Sequence, residues 1–227
     1  MYLTLKALYL SLFSPNFGTN LKKYMIEIGV VLPMLYLPPV EYFVALHTYK
    51  PNILIEREEH FPKQTYRNRA NICSPDGVLP LTVPVIKGSK NHTKIKDVKI
   101  SYDFNWQRLH WMSLQACYRR SAYFEYYEDE FVPFYEQKET FLFDYNGKLL
   151  ELLLKLTKIK TPLTYTETYE SEYPALTDLR SSISPKKEID FEQKPYFQVF
   201  EEKQEFMKNL SIVDLLFNQG PQALSYL

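Results

Sequence analysis

The chain predicts a single α/β domain, with a mixed β-sheet from the N-terminal half packed against helices from the C-terminal half. Three observations carry this expectation. A continuous Ile/Val-rich run, "IEIGVVLPML" at residues 26–35, has the pattern of a strand buried on both faces. A helix start and a second apolar run, "NILIERE", follow within about thirty residues, the length of a βαβ unit. From Trp106 onward the apolar residues recur at helical rather than alternating spacing. At 227 residues the chain is long enough for one substantial core.

Pro39 suits the first turn of a helix, where its missing N–H costs nothing, and Val40, Phe43 and Val44 supply that helix's apolar face. The turn between this strand and helix is where ligands tend to sit in open α/β sheets. "TYRNRANI" and "VLPLTVPVI" read as strands flanking "SPDG", a turn signal that predicts a hairpin. "KIKDVKISY" alternates apolar and polar residues, as a strand with one exposed face would. On the next helix Trp106, Leu109, His110, Ser113 and Cys117 share one face, with Trp111, Leu114 and Tyr118 beside it. "EYYEDEFVPFYEQ" and "GKLLELLLKLTKI" continue the helical half. Residues 161–195 are rich in Thr, Ser, Glu and Pro and are expected to form a polar loop or lid. A final helix follows, with Ser211 and Asp214 at capping spacing and Gly220-Pro221 as its stop.

Residues 1–24 are expected to be an extension upstream of the domain, with Met25 as the native start and the domain running over 25–227. The apolar stretch in this extension is short, is interrupted by Lys6 and lacks a basic leader, so it reads neither as a signal peptide nor as a membrane span.

The 27 basic and 27 acidic side chains cancel, which argues against a nucleic-acid partner. Six glycines and no GxGxxG or Walker A pattern argue against a phosphate-cradling loop. Cys73 and Cys117 are far apart in sequence and fit a reduced, cytoplasmic protein with buried thiols, the alternative being one disulfide between them. No HExxH or HxH spacing supports a metal, and no motif specifies a cofactor.

Among polar groups, Arg67 and Arg69 stand two residues apart and would share a strand face, where two guanidinium groups could clamp a phosphate or carboxylate. The alternative is a structural ion network with Glu56, Glu58 or Glu59 of the preceding strand. Asn68 between them is unusual in a strand. Glu58, His60 and Lys63 offer acid–base chemistry, or else a solvated strand end. His110 reads either as a proton-handling group or as a satisfied core histidine. Tyr36 stands at the presumed strand-to-helix turn.

Together, "YLPPVEYF", "FPKQTYRNRANI", "LPLTVPV", "DVKI", "WQRLHWMSLQACYRRSAYFEYY" and "NLSIVDLLFNQG" resemble the WbqC-like family of bacterial proteins, in a form similar to that of Bacteroides-type bacteria. The family pattern falls on Tyr36, Pro38, Lys63, Tyr66, Asn68, Arg69, Trp106 and His110. Many relatives carry polar residues before the Tyr-Leu-Pro element, where this chain has Leu32, Pro33, Met34 and Leu35, and Asp-Asp where it has Arg57 and Glu58. Family members commonly occur in gene clusters for O-antigen and other surface glycans. The resemblance thus implies an enzyme of surface-polysaccharide or glycoconjugate synthesis that transfers a group to or from a sugar or nucleotide-sugar ligand. His110, Glu58 and Lys63 would be its catalytic groups, and Tyr36, Tyr66, Arg67, Asn68, Arg69 and Trp106 its substrate-binding groups. The alternative is a non-catalytic binding module of a glycan-assembly complex.

Overall fold

The computed structural model describes residues 29–86, 93–187 and 191–227. The expected extension at 1–24 and the start at Met25 lie outside the described residues. Five α-helices and six strands occur among the described residues, in the α/β arrangement that the sequence predicts.

A four-stranded parallel sheet forms the centre. Its strands are β1 (Gly29–Pro33), β2 (Ile53–Glu56), β5 (Leu163–Tyr165) and β6 (Leu176–Asp178), in the order β5-β2-β1-β6. Every residue of β1 is buried, as expected of a central parallel strand packed on both faces. Helix α1 (Val40–Tyr49) joins β1 to β2, and the pair runs parallel with Val30 opposite Ile53. Gly29 lets neighbouring chain close on the entry to β1, because a Cβ there would lie 2.7 Å from the Leu176 side chain and 3.2 Å from the Asn52 carbonyl oxygen.

The antiparallel hairpin β3 (Arg69–Ser74) and β4 (Gly77–Thr82) forms a second sheet. Its turn is the predicted Pro75-Asp76 pair, closed by Gly77 at φ 107°. Helices α2 (Trp106–Tyr118), α3 (Phe124–Glu136) and α4 (Leu142–Thr157) then pack as consecutive neighbours. Helix α4 reaches the sheet through Gly147 against Met34 and through the Phe143–Tyr165 ring pair.

Three local expectations are corrected. Arg67 does not share a strand face with Arg69, because residues 66–68 form a turn and β3 begins at Arg69. The carbonyls of Tyr66 and Arg67 are engaged elsewhere, by the Tyr36 amide and the Asn146 side chain, so they cannot join a ladder. "KIKDVKISY" is a short 3-10 turn (Ile95–Asp97) followed by isolated bridges, its amides donating to Glu59, Thr140 and Pro84. The segment 161–195, read as a loop or lid, contributes β5 and β6 and so completes the central sheet.

The C-terminal segment locks the assembly. Val40 donates its amide to Leu210 and Ile212 donates to Pro38, sealing the turn after β1. Helix α5 (Ile212–Gln219) is N-capped by Ser211, and its Asp214 is wholly buried. Asp214 Oδ1 accepts from the Tyr118 hydroxyl at 2.8 Å; Oδ2 accepts from the Tyr196 hydroxyl at 2.7 Å and from Gln198 Nε2 at 2.9 Å. Burial pushes this carboxyl upward, and the three donors oppose that shift. Gly220 ends the helix at φ 54°, where a Cβ would strike the Tyr123 ring.

Asp214→Ala would leave three buried donors without their acceptor. It is expected to lower unfolding free energy by roughly 3–5 kcal/mol in urea denaturation, with Tyr118→Phe costing a smaller part of that.

Candidate functional site

The turn that follows β1 is not open. Residues 34–39 are all buried, and Leu37 takes a left-handed φ of 39° within this sealed turn. The accessible space lies beside it. The chain runs outward from β1 to β2 and β5, then returns to place β6 on the other side of β1. A cleft of about 560 Å³ opens at the carboxyl ends of these strands, the position where open parallel sheets hold ligands. Residues following β2 (Glu58, Glu59, His60), residues following β5 (Tyr169, Ser171) and the end of β6 (Asp178, Arg180) line it. Thr65, Arg67 and Lys94 complete its polar wall.

The floor is a buried charge network. Glu56, the last residue of β2, is wholly buried. Its Oε1 accepts from the Glu58 amide at 2.7 Å and from Thr166 Oγ1 at 2.8 Å; its Oε2 accepts from Arg180 Nη1 at 3.1 Å and from the Tyr173 hydroxyl at 3.2 Å. Arg180 also donates to Asp178 and to the carbonyls of Glu170 and Ser171, while its guanidinium lies against the Tyr169 and Tyr173 rings. Arg67 donates from Nε and Nη2 to the two oxygens of Glu59, at 2.6 and 2.8 Å, and from Nη2 to the Arg180 carbonyl. Burial still lifts the Glu59 carboxyl above its ordinary range against the pull of Arg67.

Glu58 differs from these. Its carboxylate accepts from Lys94 at 2.8 Å and from Lys96 at 2.6 Å, with Arg57 at 3.4 Å. The two lysine hydrogen bonds hold its pKa down to about 2, so it is ionised throughout the physiological range.

The remaining sequence-predicted residues gather at the base of the hairpin. The Tyr36 amide donates to the Tyr66 carbonyl. The Tyr36 hydroxyl lies 2.9 Å from His110 Nδ1 and 3.2 Å from the Tyr135 hydroxyl. The His110 ring also meets the Thr82 carbonyl, which can only accept. Tyr135, Tyr36 and His110 thus form one hydrogen-bonded chain whose donor order follows the His110 tautomer. Trp106 packs edge-on against His110, with ring centroids 5.0 Å apart. Asn68 Nδ2 donates to the Val83 carbonyl, and Arg69 pairs with Thr82 in the ladder. Tyr66 is buried, and burial pushes its hydroxyl up to about 12. Lys63 is exposed, on the loop between Pro62 and Thr65 of the cleft.

Thus Glu58 and Arg67 stand in the cleft wall, whereas Tyr36, Trp106 and His110 form a polar knot to which Tyr66, Asn68 and Arg69 attach through the base of the hairpin, and none of these six lines the cleft. Sequence reasoning missed Lys94, Tyr169, Asp178 and Arg180. The signals were faint: an alternating Lys-Ile-Lys, and a "TDLR" whose two charges bracket one leucine within a polar segment.

Burial lowers the His110 pKa to about 4, against 6.5 for a free imidazole. Between pH 6.5 and pH 4 the unfolded chain binds a proton that the folded chain refuses. Stability is therefore expected to fall as pH drops through this window. Urea midpoints at pH 7, 5.5 and 4.5 should show a shallower decline for His110→Gln than for the wild type.

The sequence pattern of the WbqC-like protein family matches residues 34–186, a span that contains every residue lining the cleft. The chain is also similar to Rv1507c of Mycobacterium tuberculosis, described as an uncharacterized protein. The two are 28% identical over 218 residues, covering 85% of this chain and 94% of the relative. No solved structure matches. No helix among the described residues is long and apolar enough to cross a membrane. By the extent of the family match, this chain belongs to the WbqC-like protein family.

Proposed function

We propose that the protein is a cytoplasmic enzyme of surface-polysaccharide or glycoconjugate synthesis, transferring a group to or from a sugar or nucleotide-sugar precursor in the cleft at the carboxyl ends of the parallel strands. The cleft itself carries the reading. Its volume suits a small molecule, and its wall alternates carboxylates, cations and hydroxyls with the face of Tyr169. Hydroxyl-rich ligands need paired donors and acceptors of this kind, with an aromatic face for the C–H side of a ring. The free, buried state of Cys73 and Cys117 accords with a reducing compartment.

Glu58 is the group assigned to proton transfer. It is ionised and borders the cleft, but while Lys94 and Lys96 hold it, its basicity is low. A ligand anion that shares Lys94 with Glu58 would weaken the hold of the lysine on the carboxylate and raise that basicity at the moment of binding. Lys63 serves at the mouth and Arg67 in the wall. Tyr36, Tyr66, Asn68, Arg69, Trp106 and His110 act by holding the hairpin base against the cleft rather than by touching substrate.

A second reading, a non-catalytic module that binds a glycan intermediate, gains from one observation. The guanidinium groups of Arg67 and Arg180 already donate to protein acceptors, as suits recognition by a rigid wall.

Product analysis separates the two readings. Purified protein incubated with nucleotide sugars and acyl or amino donors should yield a modified sugar by mass spectrometry. Glu58→Gln should reduce its formation at least about 100-fold while the protein remains folded. Equal turnover in Glu58→Gln would remove Glu58 from the chemistry, and ligand binding without any product would favour the module.

A further inference from the structure

We infer that Lys94 is the anion-binding residue of the cleft, held out by Glu58 to take the phosphate of a phosphorylated or nucleoside-diphosphate ligand. The inference deepens the proposed reading of the cleft and rests on it. Four charged side chains meet here. The Glu58 carboxylate is 4% exposed, whereas Arg57, Lys94 and Lys96 are 44%, 45% and 31% exposed. Three cations therefore face Glu58, and Asp97, whose charge also acts on Lys94, leaves a local surplus of one positive charge. Lys96 and Arg57 both approach Oε1 and neutralise Glu58 from one side. Lys94 approaches Oε2, and of the three it alone stands in the cleft wall.

An ammonium group carries three donors, and Glu58 accepts one. The others remain for a ligand, with the side chain already ordered, so less rotamer entropy is lost on binding. Elsewhere on the wall the cations are spent: Arg67 faces Glu59, and Arg180 faces Asp178 and Glu56. An anionic group entering the cleft thus finds its remaining ammonium donors at Lys94. The serine and threonine hydroxyls and Tyr169 remain for the rest of the molecule.

The test uses the full chain and isothermal titration with three probes: inorganic pyrophosphate, a nucleoside diphosphate, and an uncharged methyl glycoside. Wild type should bind both phosphorylated probes, more weakly as salt rises. Lys94→Ala should weaken them at least tenfold and leave the glycoside unchanged. Lys94→Arg should recover most of the loss. Lys96→Ala should weaken the anions to a lesser degree, because Glu58 then draws more fully on Lys94. Melting curves verify that each variant is folded.

Anion affinity unaltered in Lys94→Ala would overturn the assignment, whatever Lys96→Ala does. Glycoside binding without anion binding would overturn it too, yet leave the cleft as a sugar site. Failure of all three probes would overturn both.

Discussion

The Glu56–Arg180 ion pair is the constraint on which the cleft depends. Glu56 is wholly buried at the end of β2, and Arg180 lies two residues beyond β6. Thr166, next to the end of β5, completes the ring around the same carboxylate. One buried charge therefore ties together the carboxyl ends of β2, β5 and β6, three of the four strands. Such a pair gives little net stability over an apolar equivalent. Glu56 without Arg180 would strand a charge in the interior, a loss of about 3–5 kcal/mol, whereas Arg180 without Glu56 would still hold Asp178. Its contribution is thus one of position. It fixes where the loops diverge and so where the cleft opens.

The opposite decision is made at β1. In an open sheet the first strand-to-helix turn is the usual place for a ligand. Here the C-terminal segment closes it, with Leu210 and Ile212 bonded to the turn and Asp214 anchoring the returning chain through Tyr118, Tyr196 and Gln198. Leu32, Met34 and Leu35 are wholly buried, so the turn serves as core. With that position filled, the solvent-accessible end of the sheet shifts by one strand to either side.

The elements with a long apolar period were legible in the sequence. These are β1, α1, β2, the hairpin with its Pro-Asp turn, and the helices from Trp106 onward. β5 and β6 were not, because three residues give no period, and both are edge strands with partly exposed, polar sequences. Residues 94–102 misled for a different reason. Their alternation is real, but their backbone groups are divided among several distant partners, so no ladder forms. At the site, Glu58 and Arg67 were legible as charged groups, and Glu59 was legible as a partner for Arg67. The partners supplied by the later segment, Arg180 and Asp178 above all, depend on a chain return that local pattern does not encode. Asp214 shows the same limit: its spacing from Ser211 reads as a cap, while its side chain does its work in the core.

Arg67 links the hairpin base to the cleft, because its sequence neighbours belong to the one and its side chain to the other. The Arg67 carbonyl accepts from Asn146 of helix α4, which fixes its backbone within the helical layer. Its guanidinium reaches Glu59 and the Arg180 carbonyl, and so joins the charge network of the sheet. Tyr66 and Asn68 on either side are pinned to Tyr36 and Val83. The Lys-x-x-Tyr-x-Asn-Arg element therefore works as a rigid bracket. Its flanking residues hold the turn, and the turn delivers one arginine to the wall between helices and sheet. A strand at this point would have aimed Arg67 and Arg69 the same way, giving a clamp but no bracket. As a turn, the stretch separates them, one to the cleft and one to the ladder.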